Sequence, residues 1–163
     1  MKIVVASDSF KGSMTSLEVA ASARLGILSV FPDYEIVAVN VADGGEGTVD
    51  AIVGALKGTI VNCVVSDPLG RPIQASYGID GDTAVLEMAA ASGLPLLKVE
   101  ERNPWLTSTY GTGEMIMDAI TRGCRHFLVG IGGSATNDAG IGMLQAMGYR
   151  FYDSDDQLIM SGT

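Results

Sequence analysis

The chain has 163 residues and a formal net charge of −9, from 10 Lys+Arg against 19 Asp+Glu, with no Lys/Arg-rich run. It therefore lacks the basic face that a nucleic-acid backbone requires, and nucleic acid is not an expected partner. Apolar residues at 47% and charged residues at 18% suffice for a filled core and exclude global disorder, and the 21 glycines, without a Gly-X-Y period, act as punctuation.

Ile3–Ala6 is a short continuous apolar run, which predicts a strand buried on both faces of a parallel sheet. A polar loop over residues 7–13 follows. Thr15 and Ser16 are N-cap candidates, and Leu17, Ala20, Ala21, Leu25 and Leu28 recur at helical spacing up to Phe31-Pro32-Asp33. The pattern then repeats: a strand over Ile36–Ala42, the loop Asp43-Gly44-Gly45-Glu46-Gly47-Thr48, and a helix whose apolar face is Val49, Ile52, Val53 and Leu56. Gly58 is placed as the glycine that closes this helix.

From there the rhythm changes. Ile60–Val65, Ile73–Ile79 and Thr83–Met88 read as three strands joined by the turns Asp67-Pro68-Leu69-Gly70 and Asp80-Gly81-Asp82, hence an antiparallel meander. A domain boundary is expected near Lys57–Thr59, dividing the chain into 1–57 and 58–163. After an irregular stretch through Asn103-Pro104-Trp105, Thr109–Gly113 leads into a helix. Next come a strand over His126–Ile131, the loop 132–138, a helix through Met147 that contains Gly140 and Gly142, and a further strand over Tyr149–Tyr152.

Several chemistries have little support. The N-terminal apolar stretch is too short for a secretory signal, and no run approaches the roughly 18 apolar residues of a membrane span. Cys63 and Cys124 each adjoin an apolar run and read as reduced core thiols, which points to a cytoplasmic setting. His126, the sole histidine, reads as a strand-edge residue, so zinc and Ser-His-Asp sites are not expected. Met115, Met117, Met143 and Met147 read as core filler.

Three loops, residues 7–13, 43–48 and 132–138, join the carboxyl end of a predicted strand to a helix, the edge where open α/β sheets bind ligands. Backbone N–H groups in such loops hold phosphate oxygens, and glycine permits the close approach. Asp43–Gly47 sets two carboxylates among three glycines; Asp43 caps the next helix, or Asp43 or Glu46 serves as base or metal ligand. Lys11 offers a point charge. Gly132, Gly133, Ser134, Asn137 and Asp138 supply donors, a hydroxyl and a carboxylate suited to a phosphate and its Mg²⁺. A rival reading takes Gly130–Ala135 as G-x-G-x-x-A with Asp153 ending the next strand, as in an NAD(P)-binding module. No Walker A sequence is present.

Taken in order, six segments resemble the signature segments of the bacterial glycerate kinase family, the type without a Walker motif that forms 2-phosphoglycerate. They are Asp8–Lys11, Val41–Thr48, Glu87–Leu94, Glu101–Pro104, Tyr110–Glu114 and Gly130–Asp138. The resemblance implies a two-domain α/β fold with Rossmann-like or flavodoxin-like parallel layers, one domain inserted in the other. It implies ATP, Mg²⁺ and phosphoryl transfer to a hydroxyl of D-glycerate. Carried onto matching positions, Asp8, Lys11 and Asp43 are the catalytic candidates. Ser9, Gly44, Gly45, Arg102, Gly132, Gly133, Ser134 and Asn137 are the substrate and phosphate candidates, and Asp138 and Glu46 the metal candidates. Family members exceed twice this length, so exposed surface left by the absent part, and self-association through it, are also expected. The alternative is an inactive fragment that retains only binding surfaces.

Overall fold

The computed structural model describes residues 1–10, 13–41 and 43–159. Lys11 and Ala42, both named above, lie outside the described residues. Strand β1 (Lys2–Ser7), helix α1 (Ser16–Val30) and strand β2 (Glu35–Asn40) form a βαβ unit in which β1 and β2 pair in parallel, Lys2 opposite Glu35 and Ser7 opposite Asn40. Thr15 caps α1 in a capping box: its hydroxyl accepts the Glu18 N–H, and the Glu18 carboxylate accepts the Thr15 N–H.

Helix α2 (Thr48–Leu56) leads to β3 (Thr59–Ser66), β4 (Pro72–Asp80) and β5 (Thr83–Glu87), the expected antiparallel meander. A short helix α3 (Ala89–Ser92), two 3₁₀ turns and α4 (Tyr110–Thr121) then cross over to β6 (His126–Gly130), which pairs with β5 in parallel. The second sheet thus has the order β3-β4-β5-β6. Helix α5 (Ile141–Ala146) follows and lies against α4. The fold is α/β, with parallel strand pairs and flanking helices, as predicted.

Helices cover this sheet on both faces. Cys63, Val65, Ala75, Tyr77, Ala84 and Leu86 of the sheet meet Met115, Ile116 and Ala119 of α4, the main core. On the opposite face Val49 and Val53 of α2 meet Val85. Residues 84, 85 and 86 alternate between the two layers, which is why β5 is buried at three successive positions. Gly78 admits α2, since a Cβ there would lie 2.0 Å from Val53 Cγ2. Tyr77 is fully buried and donates from its hydroxyl to Asp118, which also accepts from Arg122; burial, with this bond behind it, holds the Tyr77 phenol well above its ordinary pKa. Both cysteines are free and buried, and burial raises the Cys63 thiol.

Several expectations are corrected. β1 is not buried on both faces: its residues alternate, with Val4 57% exposed, because α1 covers only one side of this two-stranded sheet. The same thin coverage leaves Leu17 and Leu25 of α1 exposed. Lys57, not Gly58, takes the left-handed position that closes α2; Gly58 instead lets β4 approach, its absent Cβ being 2.6 Å from the Ile79 carbonyl oxygen. Gly140 precedes α5 at positive φ rather than lying within it. Met117 is exposed. Tyr149–Tyr152 forms no strand; Tyr152 makes a single bridge to Leu158, around a turn organised by Asp153.

Candidate functional site

The loop after β2 and the loop after β6 meet. The Gly132 N–H donates to the Gly44 carbonyl at 2.9 Å, and a Cβ on Gly132 would stand 2.7 Å from the Gly45 Cα. Only glycine permits that approach. Gly44 and Gly133 also have positive φ, which sharpens both turns.

Within the first loop, Asp43 accepts the Gly45 N–H at 2.7 Å and is otherwise exposed. It does not cap α2, whose N-cap is Gly47, at positive φ and without a side-chain cap bond. The Thr48 hydroxyl accepts the Gly44 N–H and closes the turn from the helix side. Glu46 is exposed and lines a cleft of about 330 Å³ together with Ser9, Phe10, Ser13, Thr15 and Asp50. The loops after β1 and β2 therefore share a wall, and the Asp8 carboxylate holds Ser9 in place by accepting its N–H at 2.7 Å.

In the second loop, Ser134, Asn137 and Asp138 line another cleft of about 330 Å³ with Thr109, Thr112, Thr136 and Met143. The Ser134 hydroxyl accepts the Thr136 N–H and pairs with the Thr136 hydroxyl. Among the described residues, the backbone N–H groups of Gly133, Ser134 and Asn137 have no protein acceptor, so they remain available to anionic oxygens.

Asp138 has a different environment. Its Oδ2 accepts from the Thr109 N–H and hydroxyl at 2.8 Å and from the Gly142 N–H at 3.1 Å, with the Ser108 hydroxyl at 3.4 Å, while Oδ1 accepts the Gly140 N–H. Burial alone would raise this carboxyl, but these donors outweigh it and hold the pKa below the ordinary carboxylate range. A carboxylate has about four lone-pair sites. Five donors leave little capacity for a cation, so the geometry makes Asp138 the clasp between the N-terminal ends of α4 and α5.

Arg102, exposed after the 3₁₀ turn Val99–Glu101, is not brought to either cleft. A cleft of about 600 Å³ lies elsewhere, among Pro68, Leu69, Tyr110, Gln145 and Arg150, and none of the candidate residues lines it. Among the described residues, no three His, Cys, Asp or Glu side chains gather to hold a metal. Mg²⁺ needs no such cage, since it is commonly held by one or two carboxylates, waters and the phosphates of its nucleotide. Exposed carboxylates such as Asp43 and Glu46 fit that pattern. The residues overlooked in the sequence are Thr48, Glu87 and Thr109. Thr109 is buried, and its hydroxyl both donates to Asp138 and accepts the Met143 N–H. An acidic residue ending an apolar strand was the available signal for Glu87.

Residues 3–163 match the model of the glycerate kinase family. This chain belongs to that family. It is 52% identical over 164 residues to a glycerate kinase of Haemophilus influenzae, 51% identical to a glycerate kinase of Bacillus subtilis, and 49% identical to a glycerate 2-kinase of Escherichia coli. Each of the three alignments covers 99% of this chain and 43% of the relative. A solved glycerate kinase 2 chain from Salmonella typhimurium LT2 superposes with a TM-score of 0.81 at 47% identity, covering 99% of this chain and 44% of that one. The chain thus spans less than half the length of its relatives. The dinucleotide reading loses its geometry as well: residues 149–152, just ahead of Asp153, form no strand, and the Asp153 Oδ1 accepts the Asp155 and Gln157 N–H groups in a turn.

Proposed function

We propose that this chain provides the N-terminal portion of a glycerate kinase that transfers the γ-phosphoryl group of ATP to a hydroxyl of D-glycerate, giving 2-phosphoglycerate. The observation that carries this reading is the junction of the glycine loops, Gly132 N–H to Gly44 carbonyl, at the carboxyl ends of parallel strands. It sets exposed carboxylates beside unused backbone donors, the combination that a nucleotide triphosphate and a hydroxy acid demand.

In this scheme Asp43 or Asp8 accepts the proton of the attacking hydroxyl. Lys11 pairs with the glycerate carboxylate, Arg102 being outside both clefts. Ser9, Gly44, Gly45, Gly132, Gly133, Ser134 and Asn137 position phosphate oxygens and substrate. Mg²⁺, when bound, would neutralise charge on the phosphates; Glu46 would hold it, because Asp138 is taken up by protein donors. ATP as co-substrate places the reaction in the cytoplasm.

A coupled ADP-release assay with D-glycerate and Mg²⁺-ATP tests this on the chain alone and on the chain mixed with the unmatched portion of the Haemophilus relative. Turnover in either sample, of order 1–100 s⁻¹ for a kinase, supports the reading. No turnover in both leaves the inactive-fragment alternative and sinks the enzyme.

A further inference from the structure

Glu87 ends β5, opposite Gly130 of β6, so it belongs to the second sheet. Its carboxylate crosses to the start of α2 and accepts the Val49 N–H at 2.7 Å. That helix has no side-chain cap of its own, and the amides of Thr48 and Gly47 also stabilise the Glu87 charge. The same short segment is pinned at its other end, where the Gly44 carbonyl accepts the Gly132 N–H and the Thr48 hydroxyl accepts the Gly44 N–H. Residues 44–49 are therefore held at both ends from β5 and from the loop after β6, and among the described residues only Glu87 supplies the helix-side hold through a side chain of the second sheet.

We infer that Glu87 is the positioning residue of the glycine loop: by accepting the first amides of α2 it fixes the loop shape in which Asp43 is presented. This rests on the kinase reading for its purpose but not for its geometry. The acceptor oxygen is what matters, not the charge. The Glu87 charge is disfavoured by burial and by Asp50, whereas the Val49 N–H needs only an oxygen acceptor. An amide oxygen at this position therefore keeps the hold.

Hydrogen–deuterium exchange on the 163-residue chain tests the inference. Glu87→Ala should speed exchange at Val49 and across residues 44–48 by about tenfold or more, with amides in β6 and α4 within about twofold of the unsubstituted chain. Glu87→Gln should restore the protection. Should the alanine variant fail to fold, Glu87→Asp, whose carboxylate stops one methylene short, carries the test with about a threefold rise at Val49. Unchanged exchange at Val49 in Ala or Asp, a uniform rise over the whole chain, or no rescue by Gln overturns the role. ADP release measured on the same samples separates the two ideas. Loosened loops without turnover anywhere refute the kinase reading and leave Glu87 as the hold; turnover with unaltered exchange refutes only the hold.

Discussion

Asp43 and Asp138 are both aspartates in loops that follow parallel strands, yet their surroundings give them opposite tasks. Asp43 is exposed and accepts one local amide, so its replacement removes little from the fold. Asp43→Asn should lower turnover about 10²–10⁴-fold in the ADP-release assay while the melting temperature stays within the error of the scan. Asp138 gathers donors from Ser108, Thr109, Gly140 and Gly142, and these prefer a charged acceptor. Asp138→Asn should cost about 1–3 kcal/mol in urea unfolding at neutral pH. Because the folded carboxyl titrates below its unfolded value, its contribution is complete above the ordinary aspartate range and fades as pH falls through the lowered folded value. The difference in stability between Asp138→Asn and the unsubstituted chain should therefore shrink on acidification. Glu87 runs the other way. Burial raises its folded pKa, so ionisation costs stability as pH rises from the unfolded to the folded value, and Glu87→Gln should not lower the melting temperature at pH 7.

At the scale of elements, the close approach of α4 and α5 depends on a glycine whose role periodicity does not reveal. A Cβ on Gly113 would lie 2.3 Å from the Met143 carbonyl oxygen and 2.7 Å from the Ala146 Cβ, whereas one on Gly54 of α2 would meet nothing within 4 Å. Urea unfolding should show Gly113→Ala destabilised by about 1–3 kcal/mol and Gly54→Ala stabilised by about 0.5–1 kcal/mol, although both replace a helical glycine by a better helix former. Local signals did fix much of the element order. The N-cap at Thr15 and the Asp67-Pro68-Leu69-Gly70 turn are chemistry of neighbouring residues, and these elements stand where the signals placed them. The failures are non-local. Tyr149, Phe151 and Tyr152 have strand propensity, but apart from the short return around Asp153 they have no sheet partner. Residues 3–6 are apolar enough for a doubly covered strand, but whether a second layer exists is not written in that segment. The donors that reach Asp138 from Ser108 and Thr109 are equally invisible locally, because those residues lie well away in sequence.

For the molecule as a whole, the expected boundary near residue 58 falls after α2, while α2 itself lies on β4 and β5. Helix α2 thus packs on the second sheet, while β1, α1 and β2 pack chiefly on one another. That βαβ unit carries the thinnest cover: Val4, Leu17, Leu25, Val30 and Val39 are all exposed. Exposed apolar surface of this kind promotes association. Sedimentation should show concentration-dependent self-association of the chain alone, suppressed when the unmatched portion of a relative is added; a monomer at all concentrations overturns this.

The bond from Gly132 to Gly44 also sets the order in which the molecule can become competent. Its partners are distant in sequence, so the chain entropy of closing that loop is lost before the bond forms, and the junction belongs to the late steps of folding. A partly folded chain has both glycine segments but no common cradle. Nucleotide would then bind only the fully assembled state, and binding and folding become one linked equilibrium. Mg²⁺-ATP at about 100 times its dissociation constant should raise the unfolding free energy by about 2.7 kcal/mol. A single short hydrogen bond between two glycines would thus make the ligand a sensor of whether the whole structure is in place.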